Sequence, residues 1–251
     1  MKAIAVLPVK RFASAKRRLA AGIDEERREA LVEAMLGDVR AAIGEARSSE
    51  RTIVVSAEPR AAALARPAGA EVLADPAGHV GQPEAGEAGG AAGMPSDVAL
   101  PAGTPPDRMN LSNGHRAAAR AGIAVAMGAG AECVVLLPGD CPLLEPRELD
   151  RLLTGVPSSY VAIVPDRHGS GTNALVLAPP EAIAPAFGEG SCARHVAAAR
   201  AAGIPFAVEQ LPSLALDLDT PADIVALTTR VATGRGGSPG RGRRTAKALG
   251  I

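Results

Sequence analysis

Apolar residues gather in five short runs separated by longer stretches of mixed polarity: "AIAVLP" (3–8), "TIVVSA" (52–57), "CVVLLPG" (133–139), "YVAIVP" (160–165) and "NALVLA" (173–178). Each run is rich in Val, Ile and Leu and lacks the polar alternation of a half-exposed sheet, the pattern of strands covered on both faces. Between the first two runs, Leu31, Val32, Met35, Leu36, Val39 and Ile43 recur with helical spacing and predict an amphipathic helix within 24–46. Doubly buried strands alternating with helices imply an α/β fold, a three-layer sandwich around a mostly parallel sheet. In such sheets ligands bind beyond the carboxyl ends of the strands, so the residues just after each run become the candidates for chemistry.

Two segments break the pattern. Residues 76–107 hold seven Gly and six Pro among 32 residues without periodicity, and read as a disordered surface insertion in a domain spanning 1–232. Residues 233–251, rich in Gly and Arg, read as a disordered basic tail. The tail carries five basic residues and no acid, which leaves 22 basic against 27 acidic residues over 1–230, a net −5. Nothing in that balance suggests a nucleic-acid surface on the folded part. With no Trp, one Tyr and three Phe, the core is expected to be small and aliphatic. Cys133, Cys141 and Cys192 are odd in number and form no CxxC pair, which argues against a disulfide framework or a structural zinc. No apolar stretch reaches membrane-spanning length, and a cytoplasmic protein without membrane partners is expected.

Five stretches carry candidate chemistry. "LPVKRFASAKRRLA" (7–20) packs Lys10, Arg11, Lys16, Arg17 and Arg18 into the loop after the first strand, where a phosphate-bearing ligand would be met; a solvated basic loop has the same composition. "LPGDCPLL" (137–144) sets Asp140 after the third run, either as a turn former or as a delivered carboxylate. "LALDLDTPAD" (214–223) alternates three leucines with Asp217 and Asp219, which as a strand places both carboxylates on one face. Thr220, Pro221 and Asp223 read as N-cap, N1 and N3 of a following helix, so Asp223 has a structural explanation. Two adjacent carboxylates repel unless a cation or proton lies between them, and together with Asp140 they make an oxygen-only set suited to Mg²⁺.

The remaining two stretches are glycine-marked. "PDRHGSGTNAL" (165–175) reads as a tight turn between strands or a close backbone approach to phosphate, with His168 a turn residue. "FGEGSCARHVAAARAAG" (187–203) offers Ser191 as N-cap of an Ala-rich helix, with Gly188 and Gly190 leaving its first amides open to an anion. Cys141 and Cys192 have no nearby base in sequence and are not expected to be nucleophiles.

In this order the stretches resemble the 2-phospho-L-lactate / phosphoenolpyruvate guanylyltransferases of coenzyme F-420 biosynthesis. "PVKRFASAKRRL" is similar to their opening PVKxxxxAKxRL pattern, "LPGDCPLL" to their metal-binding strand end, "DRHGSGTNAL" and "FGEGS" to their substrate loops and "LDTPAD" to their second acidic motif. The resemblance covers most of residues 1–230 and implies a Rossmann-like sandwich of the glycosyltransferase-A nucleotidyltransferase type. It implies transfer of GMP from GTP to phosphoenolpyruvate, giving enolpyruvyl-2-diphospho-5'-guanosine and pyrophosphate. Carried over by position, Thr172, Gly188 and Ser191 fall on the phosphoenolpyruvate site and Asp140, Asp217 and Asp219 on the Mg²⁺ carboxylates. Lys10, Lys16 and Arg18 fall on the basic loop along the GTP phosphates, and Asp140, Lys10 and Lys16 are the groups expected at the reacting centre. The insertion separates Asp75 from the asparagine-bearing helix, which leaves Asn110 and Asn113 as alternatives for the family's asparagine.

Other readings stay open from sequence alone. The acceptor could instead be 2-phospho-L-lactate or 3-phosphoglycerate, and the nucleotide rests on the resemblance. A sugar-phosphate or molybdopterin nucleotidyltransferase shares fold and chemistry, but the GxGxRMG loop of those enzymes is missing here. A non-catalytic Rossmann-like nucleotide-binding protein would account for the sandwich but not for three separated aspartates. A downstream transferase receiving the product is the expected partner by analogy.

Overall fold

The computed structural model describes residues 1–20, 22–76, 106–233, 238 and 240–251. Seven strands build one sheet: β1 (Ala3–Val9), β2 (Arg51–Ser56), β3 (Glu71–Leu73), β4 (Cys133–Leu136), β5 (Tyr160–Pro165), β6 (Thr172–Ala178) and β7 (Phe206–Val208). Their order is β3-β2-β1-β4-β6-β5-β7. Neighbours run parallel except at β6, which is antiparallel to both β4 and β5.

Alternation along β1 shows why the five runs lack a polar face. Ala3, Ala5, Leu7 and Val9 pack into the layer of α1 (Glu25–Glu45), α2 (Pro59–Ala65), α4 (Pro146–Leu153) and α6 (Pro221–Ala232). Ile4 and Val6 face α3 (Pro106–Gly128) and α5 (Ser191–Ala201). Water reaches neither side, so both faces are apolar. Small residues set the layer spacing: a Cβ at Gly122 of α3 would lie 2.3 Å from Val6 Cγ1, so the helix can press this closely on β1 only through glycine. The helix expected within 24–46 is α1; Asp24 caps it by accepting from Arg27 N at 2.8 Å, and its six apolar positions are buried.

The sequence pattern passed over β3 and β7, edge strands of three residues each, and the short helices α2 and α4. Such lengths are too short for a period to show. A further difference concerns 214–219, expected as a strand. Leu214, Leu216 and Leu218 are fully buried and the aspartates half-buried, so the alternation holds, but the segment pairs with none of the described strands. It passes beyond the end of β4, where Leu218 N donates to Asp140 O at 3.2 Å. Of the 76–107 segment, residues 77–105 lie outside the described residues, and Pro106 and Asp107 belong to α3. No helix among the described residues is long and apolar enough to cross a membrane.

The tail is the main correction. Residues 243–249 form α7 (Arg243–Leu249), docked on α1. Buried Asp38 accepts from Arg244 N at 3.2 Å, Thr245 N at 2.9 Å and Thr245 Oγ1 at 2.7 Å. Arg244 lies across Gly37 and donates to its carbonyl, and Arg241 pairs with Glu45. Upstream, Ser238 donates to Glu145 from its backbone and, at 3.0 Å, from its hydroxyl. Composition misled because Gly and Arg were counted as solvated. The glycines supply left-handed caps at Gly242 and Gly250, Arg241 pairs with Glu45, and Arg244 spends its guanidinium on the Gly37 carbonyl.

Asp38→Ala leaves three donors without their buried acceptor and is expected to lower unfolding stability by about 2–3 kcal/mol. Thr245→Val, which removes one of the three, is expected to cost about 1 kcal/mol. Urea midpoints measure both; an unmoved midpoint for Asp38→Ala would detach α7 from the fold.

Candidate active site

The carboxyl edge of the sheet collects the site. The chain leaves β1 into two short 3-10 turns, Phe12–Ser14 and Arg17–Leu19. Buried Phe12 and Leu19 anchor this loop, Glu58 accepts from Phe12 N at 3.0 Å, and Arg28 Nη1 donates to Ala13 O and Ala15 O at 3.0 and 2.5 Å. Between the turns Lys16 has φ 55°, the one non-glycine among the described residues with a positive φ. A left-handed L-residue costs about 1–2 kcal/mol. That conformation directs an almost fully buried side chain inward.

There the Lys16 ammonium meets two carboxylates, pairing with Asp140 and, at 2.5 Å, with Asp219 Oδ1. Burial works against its charge, but Asp140 and Asp219 outweigh it and hold the Lys16 pKa above the ordinary lysine value. Burial raises Asp219 too, yet Lys16, Arg18 and Lys10 prevail and keep it below the usual carboxylate range. Asp217 makes no ion pair among the described residues: burial, then Asp140 and Asp219, push it up to about 6 against the weaker pull of Lys16. Lys10 is lowered by burial, with Asp140 acting in the opposite direction. The structure thus brings Lys10, Lys16, Arg18, Asp140, Asp217 and Asp219 together at one edge.

The donor set is hard and all-oxygen, and Asp140 Oδ1 is buried without a hydrogen-bond partner among the described residues. That orphaned oxygen suits a cation. Yet among the described residues no three His, Cys, Asp or Glu form a ready coordination shell, and Lys16 bridges two of the three carboxylates. Mg²⁺ usually needs only one or two carboxylates, filling its shell with water and phosphate, so the residues fit it.

A second cluster sits beside the first. Because β6 runs against its neighbours, its first residue, Thr172, lies at the same edge as the carboxyl ends of β1, β4 and β5. A register shift pairs Val164 with Ala174 and Pro165 with Thr172, a bulge that reverses the facing of residues 172 and 173. Thr172 therefore points to α5, where Ser191 Oγ donates to its Oγ1 at 3.1 Å and His195 Nδ1 lies 3.0 Å away. Asn173 points to the other layer, donating to Leu214 O at 2.7 Å and reaching Asp217 Oδ1 at 3.4 Å. The preceding turn is folded around Asp166, which accepts from His168 N, Ser170 N and Gly171 N at 3.0–3.1 Å. Arg167 ties this turn to the acidic segment through Asp223, at 2.6 Å.

Two expectations need correction. Gly190, not Ser191, is the N-cap of α5; Ser191 is its first residue, fully buried, and spends its side chain on Thr172. Nor are the first amides of α5 open, since Ser191 N donates to Gly188 O at 3.0 Å and Cys192 N to Ser170 O at 3.1 Å. Gly188, with φ 115°, shapes the loop leading in. The expected cap of α6 is present: Asp223 Oδ2 accepts from Thr220 N at 2.6 Å and Asp219 N at 3.0 Å. His168 is an exposed turn residue, and burial raises the pKa of Cys141 and Cys192, as inert thiols require. Asn110 and Asn113 fall on α3 with side chains outside the described residues. Sequence reasoning missed His195, Asn173, Arg167 and Phe187, whose ring meets both His115 (5.3 Å) and His195 (5.4 Å) edge-on. The spacing of "SCARH" did place His195 one helical turn from Ser191.

A sheet of this order with such an edge is the nucleotidyltransferase fold. It is shared with a nucleotidyl transferase from Methanothermobacter (14% identity, TM-score 0.56, covering 93% of this chain and 99% of that one). It is shared also with a CMP:2-keto-3-deoxy-manno-octonic acid synthetase solved with CTP (13%, TM-score 0.51, 93% and 100%). Sequence carries the assignment further. The family described as "Guanylyl transferase CofC like" matches residues 1–81 and 117–233. A phosphoenolpyruvate guanylyltransferase of Conexibacter woesei is 42% identical over 95% of this chain and 92% of its own, and one of Sphaerobacter thermophilus 35% identical over 93% and 96%. A 3-phospho-D-glycerate guanylyltransferase of Phenylobacterium zucineum is 34% identical over 98% and 94%. The chain belongs to this guanylyltransferase family, and is a nucleotidyltransferase of the α/β class its fold defines.

The carboxylates generate a pH prediction. Asp217 binds its proton more tightly folded (about 6) than at the ordinary 3.8, so its contribution to stability falls as pH rises through that window. Asp219, held low, has the opposite sign: the stability it contributes is present above the unfolded carboxylate value and lost as pH falls through its folded value. Asp217→Asn is expected to flatten the decline between pH 3.8 and about 6. Denaturation across that range measures it, and an unchanged slope would assign the titration to another group.

Proposed function

We propose that this protein transfers GMP from GTP to phosphoenolpyruvate, forming enolpyruvyl-2-diphospho-5'-guanosine and pyrophosphate, with Mg²⁺, as a cytoplasmic step of coenzyme F-420 biosynthesis. Family membership supports guanylyl transfer, and the Conexibacter and Sphaerobacter relatives support the acceptor. The observation that carries the reading is the cation-and-carboxylate cluster of Lys16, Asp140 and Asp219, with Asp140 Oδ1 buried and unpartnered.

The acceptor phosphate is already an anion, so attack on the α-phosphorus of GTP needs no strong base; the obstacle is repulsion between two polyanions. Asp140, Asp217 and Asp219 would hold Mg²⁺, which when bound supplies neutralisation of phosphate charge. Lys10 and Arg18 sit beside these carboxylates and would face the triphosphate. Lys16 would share its charge between Asp140 and the leaving pyrophosphate. Across the edge, Thr172, backed by Ser191 and the Gly188 loop, would hold the acceptor's anionic group in line, and Asn173 keeps that half in register with Asp217. The product, a reactive enol diphosphate ester, calls for a downstream transferase to receive it.

The Phenylobacterium relative supports a second acceptor, 3-phospho-D-glycerate, with the same chemistry. Pyrophosphate release with GTP, ATP or CTP against phosphoenolpyruvate, 2-phospho-L-lactate and 3-phospho-D-glycerate, with product masses, separates these. Release requiring GTP, phosphoenolpyruvate and Mg²⁺ together is expected. Release with another acid moves the acceptor, and none with any pair returns the protein to a non-catalytic nucleotide binder. Asp140→Ala is expected to lose about 4 kcal/mol of transition-state stabilisation, about a thousandfold in rate, with an unchanged circular dichroism spectrum.

A further inference from the structure

His195 is a polar residue wholly buried on α5, and both of its ring nitrogens are engaged. Nε2 lies 2.8 Å from Ala186 N, a backbone N–H that can only donate, so Nε2 is the acceptor and the ring proton sits on Nδ1. Burial, reinforced by Arg194 and Arg116, holds the imidazole neutral, its pKa down to about 4. With the tautomer fixed, Nδ1–H donates to Thr172 Oγ1 at 3.0 Å. Ser191 Oγ donates to the same oxygen at 3.1 Å. A hydroxyl has two acceptor sites and one proton. With both acceptor sites filled from the α5 side, the proton of half-buried Thr172 is directed away from α5, toward the sheet edge.

We infer that His195 is a positioning residue: through its fixed tautomer it converts Thr172 from an ambivalent hydroxyl into a dedicated donor for the anionic acceptor. Such a site accepts a carboxylate or phosphate oxygen and offers nothing to a ligand that presents a donor there. The inference rests on the reading of Thr172 as an acceptor-binding residue. The same ring grips the Ala186 peptide, which Arg194 holds from its carbonyl side at 2.9 and 3.2 Å, so loop anchoring has to be separated from hydroxyl orientation.

Two near-isosteres divide the roles. His195→Asn places an N–H near the Nδ1 position and gives up Ala186; His195→Gln reaches toward Ala186 and gives up Thr172. The expected outcome is a KM for the acceptor acid about tenfold higher in His195→Gln, the worth of one hydrogen bond to a charged group, with KM for GTP within about twofold. His195→Asn should stay near the wild-type acceptor KM. In a Thr172→Val background His195→Gln should add nothing further. Equal defects in Asn and Gln variants, or a full additional loss in the double variant, would reduce His195 to a loop anchor. Thr172→Val with an unchanged acceptor KM would overturn the acceptor reading itself, which the histidine variants alone cannot do. Long-range ¹⁵N–¹H correlation on the wild-type protein checks the tautomer without substitution: an Nδ1–H ring is expected, and an Nε2–H ring sinks the inference.

Discussion

One ammonium group holds the edge of this sheet together. Lys16 lies 124 residues from Asp140 and 203 from Asp219, and its Nζ joins three loops that share no strand. Taking a lysine out of water costs several kcal/mol unless its charge is matched, and two carboxylates match it here. The reverse dependence is as strong. Without Lys16, three aspartates would crowd one another, and Asp217, which makes no ion pair with the lysine and feels it only at a distance, is already pushed up to about 6 by burial and its two neighbours. Lys16 makes both pairs from a left-handed backbone, local strain of the kind that persists where the surrounding structure over-determines it. The cluster thus holds positive and negative charge in one place before any ligand enters, the condition for electrostatic preorganisation.

The second constraint is topological. A purely parallel sheet presents only strand ends at its carboxyl edge. Reversing β6 presents a strand beginning there, and the bulge opposite Val164 and Pro165 exchanges the layers that its first two side chains face. Thr172 meets α5, and Asn173 meets the segment of Asp217. Two halves of the site are therefore set by one dipeptide. The Arg167–Asp223 pair closes the same loop from outside, joining the β5–β6 turn to the start of α6.

What was legible in the sequence divides along these lines. Strand runs and the α1 face are local patterns, and the five long strands stand within a few residues of their expected positions. The basic loop and the two acidic motifs were visible because they follow apolar runs, where α/β sheets bind ligands, and group charges of one sign. Their meeting at Lys16 was not, since it depends on a backbone conformation that no residue preference announces. The bulge escaped for a similar reason: "GTNALVLA" reads as a plain alternation, and only the register with β5 reverses Thr172 and Asn173. His195 was hidden by its setting in an alanine-rich helix, where its neighbours gave no hint that Ala186 and Thr172 would take both ring nitrogens. Short edge strands and short helices carry too few residues for any period to emerge.

The tail shows the converse error, where composition was informative but read with the wrong sign. Five cations follow a body of net −5, and among the described residues Arg241 pairs with Glu45 where the segment docks. The docking surface is not remote from the chemistry. Gly242 packs against Leu143, 3.1 Å from a Cβ placed there, and Glu145 takes the Ser238 hydrogen bonds; both partners belong to the loop that begins at Asp140. The family model ends at 233, yet the Phenylobacterium relative aligns over 98% of this chain, so the α7 segment is not peculiar to it. The geometry of Asp140 is then fixed from two sides, by Lys16 and Leu218 N at the sheet edge and by the C-terminal segment beneath Leu143. A carboxylate that must keep one oxygen free of hydrogen bonds depends on such restraint, because a mobile loop would let water or a neighbouring donor satisfy it.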